Sequence, residues 1–137
     1  MLLRDNEQVP ADIIVLSTSN ADALCFIETK NLDGETNLKV RGALKATSAI
    51  ASEEDLEHAR FFVDSEPPHA NLYTYNGVLR YRPANWELGE EENKQEAITI
   101  NELLLGGCTL RNTKWIIGLV LFTGADTKIV LNGGDTP

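Results

Sequence analysis

Apolar residues in this chain come in short runs, each closed off by turn-forming residues. The longest, Trp115 to Phe122, has eight residues and is interrupted by Gly118. A helix that crosses a bilayer needs about 20 apolar residues, so no run here spans a membrane as a helix. The β-branched stretch Ile13-Ile14-Val15-Leu16, introduced by Pro10, reads as a buried strand, and so does Trp115 to Thr123. Cys25 to Lys30 reads as another strand, after a Ser-, Asn- and Asp-rich turn over Ser17 to Ala23.

Other stretches predict helices and a hairpin. Leu38, Arg41 and Leu44 recur at roughly helical spacing in 37–46, although Gly42 weakens the pattern. Ser52-Glu53-Glu54-Asp55 resembles a capping box, and Leu56, Ala59, Phe62 and Val63 would give the following helix one apolar face, ending before Pro67-Pro68. Asn76-Gly77, flanked by Leu72-Tyr73-Thr74-Tyr75 and Val78-Leu79-Arg80-Tyr81, predicts a tight type I′ hairpin. Tyr73 and Tyr75 then fall on one face as packing residues. Residues 83–97, with Glu87, Glu90, Glu91, Glu92 and Glu96, predict a solvated, flexible acidic loop. The last third returns to β structure, through Ile98 to Leu105, Cys108 to Thr113 and, after a Gly124 to Thr127 turn, Lys128 to Leu131. The expected architecture is one mainly β (α+β) domain over 1–137, a distorted β-barrel or jelly-roll-like sandwich with helical insertions.

At 137 residues the chain suffices for one hydrophobic core. The net charge of −9, from 21 acidic and 12 basic residues, argues against nucleic acid and anionic lipid surfaces as partners. Cys25 and Cys108 are far apart, form no CxxC, and read as reduced, partly buried thiols. With only His58 and His69 beside them, no metal site is expected.

One segment brings chemistry-bearing residues together. Lys30 to Val40 contains Asp33, Gly34, Glu35 and Thr36 in succession, just beyond a strand end. Gly34 suits a tight turn or the close approach of a ligand. Glu35 would stand at a loop tip, able to orient a water molecule, and Thr36 could cap a following helix. By itself Asp-Gly-Glu-Thr is also a common turn.

Set together, VPADIIVLST at 9–18, ETKNLDGETNLKVR at 28–41, GGCTLRNTKWIIGLVLFTGADTKIVLN at 106–132 and the NGGDTP end resemble the actuator domain of P-type ATPases. The Asp-Gly-Glu-Thr form is similar to that of the phospholipid-translocating class, the lipid flippases. The resemblance covers nearly all of the chain except the acidic loop. It implies an intact enzyme that uses ATP and Mg²⁺ to phosphorylate an aspartate on another domain. Glu35 would then hold the water that attacks the aspartyl phosphate, Gly34 would let the backbone pass close to it, and Asp33 and Thr36 would fix the loop. It implies further partners: the phosphorylation and nucleotide-binding domains, the membrane helices, a phospholipid and an accessory membrane subunit. The implied location is the cytoplasmic face of a Golgi, endosomal or plasma-membrane protein. The chain has no Asp-Lys-Thr-Gly-Thr motif, nucleotide-binding segment or membrane helix, and starts abruptly at the Val-Pro-Ala-Asp region, so it reads as an excised domain that itself holds no cofactor or metal. Two other readings of the residues stay open: a free-standing β-rich interaction module, and a small hydrolase using Asp33 with Glu35.

Overall fold

The computed structural model describes residues 1–52, 54–55, 60–81 and 94–132. Its centre is β2 (Asp12–Thr18), all seven residues of which are buried. Side chains alternate across a strand, and here both faces meet apolar neighbours. Ile13 and Val15 join one core cluster with Cys25, Ile27, Cys108 and Leu110, whereas Ile14 and Leu16 join a second with Leu44, Tyr75, Leu79 and Ile98. Each fully buried Ile or Leu contributes about 1.5–3 kcal/mol of transfer free energy, so β2 is the strand that both cores need.

Three antiparallel sheets are built around it. The first runs β1 (Leu2–Arg4), β10 (Trp115–Phe122), β2, β8 (Leu103–Leu104). The second runs β4 (Lys39–Gly42), β3 (Leu24–Glu28), β9 (Thr109–Arg111) and faces the first cluster through Cys25, Ile27 and Leu110. The third runs β5 (Phe61–Ser65), β6 (Asn76–Tyr81), β7 (Lys94–Thr99) and faces the second through Leu79 and Ile98. The chain is therefore mostly β, with short helices α1 (Lys30–Asp33) and α2 (Lys128–Asn132). Register slips between Ile117 and Gly118, where β10 meets β2. A Cβ on Gly118 would stand 2.8 Å from Ile13 Cδ1, so the close approach of the two strands depends on glycine there.

Several local expectations fail for identifiable reasons. The helix expected over 37–46 is β4, followed by a 3₁₀ turn at Lys45–Thr47. β4 pairs with β3 in the register Phe26↔Val40 and Ile27↔Lys39. Its apolar Val40 faces outward at 50% exposure while Lys39 and Arg41 are half-buried, an inverted alternation that disguises the strand. Near Ser52 the capping contacts exist: Asp55 N–H donates to Ser52 Oγ at 3.2 Å and Ala51 N–H to Asp55 Oδ2 at 3.0 Å. Positions 53 and 56–59 lie outside the described residues, and Phe62 and Val63 belong to β5 instead of a helix. Asn76 and Gly77 form no turn; they start β6, opposite Thr99 and Ile98. Gly77 is needed because Tyr75, buried at 2%, folds its hydroxyl back to within 2.7 Å of where a Cβ would be, and donates it to Ser65 Oγ. Tyr73, by contrast, is exposed at 63%, so the two tyrosines are not joint packing residues.

Positions 82–93 of the acidic run lie outside the described residues, but 94–97 open β7, and Glu96 accepts the backbone N–H groups of Lys45 and Ala46 at 2.9 Å each. Lys128 to Leu131, expected as β structure, lies in α2. Both cysteines are fully buried free thiols, pushed up to about 12 by burial. Among the described residues no helix is long and apolar enough to cross a membrane.

A buried carboxylate joins the start of β2 to α2. Asp12 is fully buried; its Oδ1 accepts Gly106 N–H at 2.9 Å and its Oδ2 accepts Lys128 N–H at 2.7 Å. Burial pushes this carboxyl above its ordinary range, and the two donors and the Lys128 charge pull it partly back. The Lys128 ammonium, itself buried, lies 3.3 Å from both ring nitrogens of His69. Asp12→Ala leaves two buried N–H groups unpaired, at about 1–3 kcal/mol each. Urea unfolding should show the variant less stable by about 2–6 kcal/mol; a loss below about 0.5 kcal/mol, the range of inconsequential substitutions, would mean that Asp12 contributes little to holding α2 on β2.

Candidate functional site

The Asp-Gly-Glu-Thr loop follows a single helical turn, not a strand end. β3 stops at Glu28 and α1 occupies Lys30–Asp33. Gly34 ends that turn in the left-handed conformation, φ 76°, and its N–H donates to Lys30 O at 2.9 Å. A side chain there would meet nothing within 4 Å, so the demand for glycine is one of backbone angle, and the space beside the peptide is open. Thr36 is exposed and leads into β4, so it caps no helix.

Asp33 braces the loop. Its Oδ1 accepts the Thr29 hydroxyl at 2.9 Å and the Glu35 N–H at 3.0 Å, and its Oδ2 accepts Lys39 Nζ at 2.8 Å. The Asp33–Glu35 contact is a local turn of the kind Asp forms two residues on. Thr29 is buried and anchors the near side of the brace. Lys39, the first residue of β4, anchors the far side and also reaches Glu35 Oε2 at 3.2 Å. The Glu35 side chain is 55% exposed, so this second contact contributes about 0–1 kcal/mol. The arrangement therefore presents one carboxylate to the outside on a short, fixed stretch of backbone.

Burial pushes the Asp33 carboxyl up, but hydrogen bonds from Lys39, the Glu35 N–H and the Thr29 hydroxyl outweigh it and hold the group below its ordinary value. The Asp33 hydrogen bond in turn holds the Lys39 ammonium above its own. Thr29, Asp33, Lys39, Leu72 and Tyr73 line a cavity of about 20 Å³ under the loop, so its base is packed. A larger open cleft of about 460 Å³ lies between Pro10, Asn31, Gly107, Thr127 and Val130. Among the described residues, those lining that cleft are apolar or uncharged polar.

The sequence pattern brought Asp33 to Thr36 into view but missed Thr29, Lys39 and Tyr73. Glu35 and Lys39 are four apart, a spacing that signals contact on a helix; here the chain turns back between them, so spacing alone carried no such signal. In the 137-residue chain, the Asp33 carboxyl carbon should titrate by NMR with a midpoint below the ordinary 3.8, and Lys39→Met should move it upward. A folded-state value below the unfolded one stabilises the protein above about pH 3.8, and that contribution fades as pH falls through the lowered midpoint. An unmoved midpoint in Lys39→Met would remove Lys39 from the brace.

No family model matches the chain. It is 56% identical over 135 residues to the phospholipid-transporting ATPase DNF1 of Saccharomyces cerevisiae, a match covering 98% of this chain and 8% of that protein. It is 53% identical to DNF2 of the same yeast, again over 98% of this chain and 8% of the relative, and 51% identical to dnf2 of Schizosaccharomyces pombe, over 97% and 10%. The chain thus spans 8–10% of the length of these relatives. Along nearly all of its own length, the chain matches one short stretch of phospholipid-transporting P-type ATPases.

Proposed function

We propose that this chain is the actuator domain of an ATP-driven phospholipid flippase, and that Glu35 positions the water that hydrolyses an aspartyl phosphate held on another domain. The observation that supports this most directly is the placement of Glu35: a carboxylate 55% exposed, one residue beyond a left-handed glycine with open space beside it, on a loop braced by Asp33. In the step itself, the water oxygen attacks phosphorus, the bond from phosphorus to the aspartyl oxygen breaks, and the water proton passes to Glu35. The products are inorganic phosphate and a free aspartate carboxylate. An acyl phosphate leaves readily, so the loop has to supply placement and proton acceptance. General-base help of this kind is typically worth about 10²–10⁴-fold.

Asp33 has both oxygens engaged in holding the loop, which leaves Glu35 without a second free carboxylate and disfavours an independent hydrolase. Mg²⁺ does not fit these residues: Lys39 bridges the two loop carboxylates, and among the described residues no group of three or more His, Cys, Asp or Glu gathers. In this reading ATP, Mg²⁺ and the phosphorylated aspartate belong to the other domains of the intact enzyme. Those domains and the membrane helices are the partners of this chain, a phospholipid is the substrate and an accessory membrane subunit completes the assembly. The domain then works on the cytoplasmic face of its membrane, and its movement onto and off the phosphorylated site couples hydrolysis to the helices.

Two outcomes test this reading. The 137-residue chain alone should show no ATP turnover above a buffer blank, and measurable turnover would place the whole reaction inside it. In an intact flippase carrying this chain, Glu35→Gln should still allow phosphoenzyme to form from ATP but should slow its decay about 10²-fold or more, read from acid-trapped phosphoprotein. Decay at the parental rate would take Glu35 out of the reaction.

A further inference from the structure

The loop carries two carboxylates towards a phosphate that is itself anionic, and one cation stands between them. Lys39 Nζ lies 2.8 Å from Asp33 Oδ2 and 3.2 Å from Glu35 Oε2. Its backbone belongs to β4 and is paired with Ile27 of β3, so the cation is held by the sheet and not by the loop it serves. On its other side the Tyr73 ring, from the connection between β5 and β6, has its centre 6.0 Å from the ammonium. The two carboxylates hold it unequally. Asp33 is 12% exposed and has its other oxygen fixed by Thr29 and the Glu35 N–H, whereas Glu35 is 55% exposed. Glu35 is therefore the arm that can let go.

We propose that Lys39 is a positioning residue for Glu35: it aims the carboxylate while the loop is free and, still anchored on Asp33, offsets the loop's negative charge as Glu35 meets the phosphate. This rests on the proposed role of Glu35. An ammonium suits the task because it is a compact charge with three donors, able to keep Asp33 while Glu35 turns towards the phosphate. Without it, two like-charged carboxylates approach an anion with nothing to cancel either, and the water is aimed by a carboxylate free to rotate. Misplacing a reacting group by about 1 Å can cost about 10²-fold in rate.

The test uses an intact flippase carrying this chain and follows acid-trapped phosphoenzyme. Lys39→Met should leave phosphoenzyme formation from ATP near the parental level, because that step belongs to other domains, and should slow decay about 10–100-fold. Lys39→Arg, which keeps the charge, should decay within about threefold of the parent, whereas a purely structural role for the stem would leave Lys39→Met near the parental rate as well. Lys39→Gln keeps a polar tip on a side chain one atom shorter and loses the charge, so it should be slow like Lys39→Met even if the latter folds poorly. In a Glu35→Gln background, Lys39→Gln should add little further slowing, since the lysine acts through the missing carboxylate. Parental decay in Lys39→Gln alongside slow decay in Glu35→Gln would overturn this proposal and leave the function standing. Full multiplicative slowing in the double variant would also overturn it, by showing that the two act separately. Parental decay in Glu35→Gln itself would instead bring down the reading of the loop, and the role of Lys39 with it.

Discussion

Burial of β2 on both faces is the constraint from which the rest of the structure follows. A strand with one solvated face can be covered by one sheet; a strand buried on two must be covered twice. Ile13 and Val15 are covered from one side by β3 and β9, and Ile14 and Leu16 from the other by β6 and β7. The neighbouring strand β10 repeats the device, sending Ile116 to one cluster and Ile117 to the other. The second sheet is thereby pinned, and with it the position from which Glu28 hands the chain to α1 and the loop.

The loop divides its labour between its two carboxylates. Asp33 points back into its own protein and is satisfied there; Glu35 points out and is held loosely. A reactive group on a floppy loop loses rate to its own freedom, whereas one locked by strong bonds cannot meet a partner. Here the backbone is fixed by short, mostly shielded hydrogen bonds and the side chain by a single exposed ion pair. Rigidity sits in the main chain and freedom in the last side-chain torsions.

The elements legible in the sequence were those set by burial on two faces. Ile13 to Leu16 and Trp115 to Phe122 have no alternative use for their apolar side chains, and both are strands. Elements decided by distant partners were not legible. β4 looks helical because Lys39 and Arg41 are half-buried, Lys39 bonding Asp33, while its valine turns out. Asn76-Gly77 carries the residues of a tight turn, yet the glycine is there to make room for a tyrosine ring. Asp33, Gly34 and Glu35 stood out as a cluster because they are adjacent. Thr29 and Lys39, four and six positions from Asp33, could be recognised only once α1 and β4 had placed them on either side of it. Thr36, read as a helix cap, lost that part when the helix it was to cap became a strand.

Asp12 holds two remote pieces of backbone on one short side chain, and this has a mechanical meaning. Its oxygens accept the backbone N–H groups of Lys128, the first residue of α2, and of Gly106, while its own main chain begins the innermost strand. An aspartate has few torsions in which to take up slack. A shift of α2 along its axis would therefore reach β2 through a short side chain with little slack of its own.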